Sequence, residues 1–155
     1  MLSMRRSEKA VTSIGELEQI LWQGKVCQLA IPDQPVPYLV PLNYGYHNQA
    51  LYFHSAAEGH KIELLKNNPL VSFSVVIDLG VIEAEQACHW GARFRSVIGT
   101  GRVGLCEAVV VKHEALQLLM EQYSDKEFTL PEEAIKATTV FKLTIEQMVG
   151  KQSRV

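Results

Sequence analysis

LYFHSAAEGHKIELLKNNP, residues Leu51 to Pro69, changes period, direction and chemistry within one short stretch. Leu51-Tyr52-Phe53 reads as an aromatic strand, and Ser55-Ala56-Ala57-Glu58 matches an S-x-x-E capping box, which places a helix start near Ala56. Ile62, Leu64 and Leu65 give that helix an apolar side, and Asn67-Asn68-Pro69 stops it, because the residue before proline is biased out of the α region. A strand end therefore delivers a helix N-terminus, whose unpaired N–H groups and partial positive charge suit an anion such as phosphate. His60 and Lys61 stand just inside that end, and Gly59 would allow close approach to the backbone. An ordinary capped surface helix would read the same way from these residues alone.

Upstream, Val26 to Ile31 reads as a strand, and Pro32, Pro35 and Pro37 around Asp33 form a turn into a second strand, Tyr38 to Tyr46. Pro41 cannot donate a ladder hydrogen bond, so this second strand is expected at an edge or a bulge, with main-chain groups free for a ligand. His47-Asn48-Gln49 makes a hairpin turn back into Leu51. Residues 1 to 12 are polar and expected to be loose. A second capping box, Ser13 to Glu16, opens a helix with Ile14, Leu17, Ile20 and Leu21 at helical spacing, closed by Gly24.

Downstream, Leu70 to Ile77 is a β-branched strand, residues 78 to 92 are less regular, and Phe94 to Cys106 is a long strand interrupted by glycines. Helices are expected over Val109 to Tyr123 and Leu130 to Ala137, and a last strand over Thr138 to Met148. Gly99-Thr-Gly-Arg-Val-Gly104 spells G-x-G-x-x-G, but no helix begins there and no second parallel strand follows, so bends in a barrel strand explain it better than a dinucleotide fingerprint.

The chain has 155 residues, 47% hydrophobic and 21% charged, which fits one globular domain over 1–155. A formal charge of −2 gives no cationic footprint for nucleic acid. Cys27, Cys88 and Cys106 are odd in number and widely spaced, as expected of free thiols in a reducing cytoplasm, and neither a signal-peptide core nor a membrane span is visible. Cys88 and His89 are adjacent and would point to opposite faces of an extended chain, which argues against a nucleophile pair. His47, His54, His60, His89 and His113 lack metal-ligand spacing. Arg93 and Arg95 share one strand face, with Ser96 on the other; a solvated face and a guanidinium aimed at a bound ring both remain open.

Val36-Pro-Tyr-Leu-Val-Pro-Leu-Asn-Tyr-Gly-Tyr46, Leu51-Tyr-Phe-His-Ser-Ala-Ala-Glu-Gly-His-Lys61, Cys88-His-Trp90 and Phe94-Arg-Ser-Val-Ile-Gly-Thr-Gly-Arg102 together resemble the FMN-binding proteins related to pyridoxamine 5′-phosphate oxidase, in particular the nitroimidazole-resistance group. The resemblance runs from about residue 4 to residue 152. It implies a mainly β, α+β chain forming a split β-barrel that pairs as a homodimer, with FMN in two clefts between the subunits. By position, Tyr38, Val40, Pro41, Leu42 and Asn43 would lie along the isoalloxazine ring. His54 and Ser55 would sit beside the ribityl chain, and His60 and Lys61 would hold the phosphate. Arg95 and Ser96 would approach from the long strand, and Trp90 would cover the cleft. True pyridoxamine phosphate oxidases carry Arg-Lys where His60-Lys61 stands and further basic residues where Tyr38 and Asn43 stand, so that oxidase reaction is not expected here. A flavin-dependent reductase of small molecules, such as nitroaromatics or quinone-like acceptors, is the expected activity, with no acid or base residue assignable. The alternative is a noncatalytic flavin-, small-molecule- or haem-binding barrel.

Overall fold

Tyr44 joins the two ends of one antiparallel sheet. A computed structural model describes residues 2–155. Its strands are β1 (Ala10–Val11), β2 (Val26–Ile31), β3 (Tyr38–Asn43), β4 (Gly45–His47), β5 (Ala50–Ser55), β6 (Leu70–Ile82), β7 (Gly91–Cys106) and β8 (Thr139–Ser153). The helices are α1 (Ile14–Gln23), α2 (His60–Asn67), α3 (Val109–Glu121) and α4 (Glu132–Ala137). The main path of the sheet is β3-β2-β6-β7-β8-β5-β4, with β1 paired to β8. Because β3 and β4 are consecutive in the chain yet stand at opposite ends of that path, the sheet has to curl until its ends meet. The result is an α+β split barrel.

The single strand expected over Tyr38 to Tyr46 is thus two. Tyr44 breaks it because both its polar groups are engaged elsewhere: its hydroxyl donates to the Leu21 carbonyl at 2.5 Å, and its N–H donates to the Tyr123 hydroxyl at 3.0 Å. Only β4 pairs with β5, through a turn in which Asn48 and Gln49 both have positive φ, at 45° and 57°. β3 pairs with β2 alone, which is the edge position that Pro41 required.

Cys27, Leu29 and Ile31 of β2, Phe73 and Val75 of β6, Val97 of β7, Phe141 and Leu143 of β8 and Leu51 and Phe53 of β5 fill the barrel. Phe53 and Phe141 are cross-strand partners and stack at 5.0 Å. α1 adds Leu17, Ile20 and Leu21 to this core, and α2 adds Ile62 and Leu65. α3 covers the other face of β8 and β5, where Ala115, Cys106 and Val140 form a small second cluster.

Several expectations change. Residues 7 to 11 are structured: a 3-10 turn spans Ser7–Lys9, and β1 pairs with β8, burying Val11. Met1 lies outside the described residues. Ser55 stays in β5 opposite Thr139, so the Ser55 to Glu58 capping box does not form; α2 starts at His60, with Gly59 at φ 138° as its N-cap and no side-chain cap. Ser13 is the N-cap of α1 as expected, but its hydroxyl makes no capping bond, and Gly24 has extended rather than left-handed geometry. Gln122 replaces the glycine device: its amide nitrogen donates to the carbonyls of Leu21, Trp22 and Gly24 at 2.8–2.9 Å. Gly99, Gly101 and Gly104 all lie within β7, and Gly101 adjoins a register shift against β8. That is the bent strand expected, not a phosphate-binding turn.

Candidate functional site

β3 is the edge strand of the sheet, so alternate main-chain groups turn away from β2 and pair with no further strand among the described residues. Tyr38, Val40 and Leu42 are partly buried against the core, while Leu39, Pro41 and Asn43 face outward. The Asn43 amide donates to the Lys25 carbonyl at 3.1 Å. That carbonyl also accepts from the Tyr123 hydroxyl at 2.5 Å, which ties the far end of β3 to α3.

The near end of β3 meets the start of α2. The Tyr38 ring stands edge-on to the His60 imidazole, with centroids 5.2 Å apart at 83°. His60 Nε2 donates to Asp33 Oδ2 at 2.8 Å, and Asp33 lies in the proline-rich turn between β2 and β3. This bond from His60, then the Gln34 amide, holds the Asp33 carboxyl below the ordinary carboxylate range. In the first turn of α2 the Ile62 and Glu63 amides donate to the Gly59 carbonyl, and no side chain caps the helix. Lys61 has no ion-pair partner among the described residues, and partial burial lowers its pKa. A part-desolvated, unpaired ammonium beside an uncapped helix start is chemically matched to an oxyanion.

The other expected residues are placed differently. His54 and Ser55 alternate along β5: Ser55 falls on the side of Phe53, and His54 on the side of Tyr52 beneath α3. Arg95 and Ser96 likewise occupy opposite faces of β7. The Arg95 side chain lies with Glu16, Gln19 and Gln152 at a gap of about 20 Å³ under α1, and its buried Nε has no hydrogen-bond partner. β2 and β6 stand between β3 and β7, about 14 Å at ordinary strand spacing. Trp90 is about half exposed, and its indole N–H donates to the Ala84 carbonyl at 2.6 Å. Within one chain, therefore, Tyr38, His60 and Lys61 come together with the edge of β3, whereas Arg95, Ser96 and Trp90 do not join them.

Asp33 escaped the sequence reading because a charged residue in a proline-rich turn looks like surface. Its one signal was that the same turn opens on Tyr38. Beside this turn, an open cleft of about 470 Å³ is lined by Ile31, Pro32, Pro37, Leu70, Ser72 and Thr100. Cys88 is exposed in a 3-10 turn, where its thiol faces the Gln86 side chain at 3.8 Å.

The family model described as pyridoxamine 5′-phosphate oxidase matches residues 13–152. The chain belongs to the pyridoxamine 5′-phosphate oxidase family. It is similar to a candidate 5-nitroimidazole antibiotic resistance protein from Bacteroides thetaiotaomicron VPI-5482, at 34% identity and a TM-score of 0.81, covering 92% of this chain and 85% of that one. A FAD-binding protein from Mesorhizobium loti is 26% identical with a TM-score of 0.67, over 94% of this chain and 97% of that one. The flavocytochrome Anf3 from Azotobacter vinelandii shares the fold at 21% identity and a TM-score of 0.84, over 99% of this chain and 73% of that one. Among curated proteins, an uncharacterized protein of Rhizobium meliloti (strain 1021) is 32% identical over 92 residues, 59% of this chain and 54% of that protein. The chain thus aligns with about half the length of that curated relative. No helix among the described residues is long and apolar enough to cross a membrane.

Proposed function

We propose that this family member binds FMN in two clefts between two copies of the chain and works in the cytoplasm. Its activity is that of a flavin-dependent reductase of small molecules such as nitroaromatics or quinone-like acceptors. The observation that carries this is the free edge of β3 running into a helix start that holds an unpaired Lys61 beside His60 and Tyr38. The relatives named for FAD binding, for a flavocytochrome and for nitroimidazole resistance support it. The homodimer is supported by the outer face of β3, β2, β6 and β7, where Leu39, Val26, Leu70, Val76 and Ile98 are each more than two-fifths exposed on adjacent strands. A partner on that face also supplies what one chain lacks, a second β7 to bring Ser96 and Trp90 to the cleft. Three free cysteines support a reducing compartment.

Bound FMN supplies the hydride and electron transfer chemistry. The chain's own residues would hold it. Lys61 and His60 would take the phosphate, Ser55 the ribityl end, and the outward main-chain groups of β3 near Val40 to Leu42 the polar edge of the ring. The apolar outer face excludes water around it. Arg95, turned under α1, is better placed to support β7 than to touch the ring. Tyr38, Asn43 and His60 stand where the resemblance puts basic residues in pyridoxamine phosphate oxidases, which supports a substrate other than phosphorylated pyridoxamine.

Lys61→Ala is expected to weaken FMN binding at least about tenfold, as removal of a charge-assisted contact does. FMN-loaded protein is expected to consume NADH or NADPH in the presence of a nitroaromatic acceptor. The second reading, a noncatalytic binder, is favoured by the fold shared with HutZ of Vibrio cholerae, named as a haem storage protein, at 16% identity and a TM-score of 0.62. It would be supported by full FMN loading without turnover.

A further inference from the structure

Asp33 is held from two sides. Its Oδ1 accepts the Gln34 N–H at 2.8 Å, and its Oδ2 accepts the His60 Nε2–H at 2.8 Å. The Tyr38 ring closes on the same imidazole. The Asp33 side chain is only 25% exposed although it lies in a surface turn, so the carboxylate is set in place rather than waving in solvent. His60 is the first residue of α2, next to Lys61, and its one proton-bearing nitrogen on this side already faces an anion that the chain itself provides.

We propose that Asp33 is a specificity-determining residue: an internal carboxylate seated on His60 that weighs against a doubly charged phosphate monoester at the start of α2. This rests on the flavin reading above. A phosphate drawn to Lys61 and the α2 amides must either displace Asp33 from His60 or lie beside it. Displacement loses the Asp33–His60 bond, and lying beside it brings two like charges within a few ångströms; both electrostatic costs are weakened by salt. The uncharged ribityl end of a flavin meets no such opposition. The chain therefore separates recognition of the flavin body from recognition of its phosphate more than an arginine at position 60 would.

The test compares FMN with riboflavin, by equilibrium titration of the full-length wild type and of Asp33→Asn, which keeps the side-chain shape and removes the charge. The expected result is FMN binding roughly three- to tenfold tighter in the variant at low salt, with the gain shrinking at high salt and riboflavin affinity unchanged. FMN affinity that is unchanged or weaker, or a parallel change for both flavins, overturns the proposal while leaving flavin binding in place. If neither flavin binds either protein, the flavin reading fails on its own, and inorganic phosphate decides the role of Asp33. Phosphate should then shift the His60 ring resonances at lower concentration in Asp33→Asn than in wild type, and equal half-saturation overturns it.

Discussion

Gln122 is nearly buried, and both ends of its amide are engaged: the nitrogen on three carbonyls at the end of α1, the oxygen on the Tyr46 N–H at 3.0 Å. Gln122→Ala leaves those groups buried without partners and is expected to cost about 2–4 kcal/mol, read from urea unfolding. A loss under about 0.5 kcal/mol would mean that water replaces it. Cys27 is likewise defined by burial, which pushes its thiol from 9.0 up to about 12. Burial, then the Glu18 hydrogen bond, raises Tyr46 from 10.0 to about 12. Both groups stay protonated in the fold at a pH where the unfolded chain ionises. Stability is therefore fully present below about pH 9 and falls as pH rises toward 12, a decline that Cys27→Ala should make shallower in unfolding midpoints. A pH-independent midpoint over that window contradicts the assignment. His60 and Lys61 stood out as candidates because their motif is local, and Tyr38 was set beside them only through the family resemblance. Gln122 was not legible, since its partners lie 76 to 101 residues away, and no pattern in a helix end announces them.

The glycines of β7 separate two readings of one motif. A Cβ at Gly99 would press into the Phe73 ring and lie 2.6 Å from the Gln147 carbonyl oxygen, and one at Gly101 would collide with the Thr144 carbonyl oxygen, whereas one at Gly104 meets nothing within 4 Å. Gly99→Ala and Gly101→Ala are expected to cost about 2 kcal/mol or more, and Gly104→Ala less than about 0.5 kcal/mol, by chemical denaturation. Equal costs at all three would favour a shared ligand role over packing in a bent strand. Most strands and helices were legible from periodicity, including the edge status that Pro41 imposed on β3. Of the two capping boxes, Ser13 to Glu16 located the start of α1, whereas Ser55 to Glu58 misled. Ser55 is retained by its ladder with Thr139, a tertiary pairing that outweighs a local cap, and the hydroxyl of Ser13 is idle. Tyr44 was read as mid-strand because its hydrogen-bond partners, Leu21 and Tyr123, come from distant elements.

The joining of β3 to β4 through Tyr44 closes the barrel and turns β3, β2, β6 and β7 outward with an apolar face. That face is where a second copy is proposed to seat. Val76→Lys, on the outer surface of β6, should give a monomer in sedimentation with an unchanged circular dichroism spectrum and much weaker FMN binding. A monomer that binds FMN undiminished would remove the inter-subunit cleft from the account. Sequence motifs nominated residues for the proposed site but not how they divide. The alternation of β7 puts Arg95 under α1 and Ser96 outside, and only a folded sheet reveals the two strands standing between them and β3. The claim that all of this serves a flavin is tested most directly by the visible absorption spectrum of the protein titrated with FMN and, separately, with haemin. The expected result is the two-banded flavin spectrum, with FMN retained through gel filtration and its fluorescence altered. FMN that washes away unchanged, or a haem Soret band taken up in its place, would contradict it.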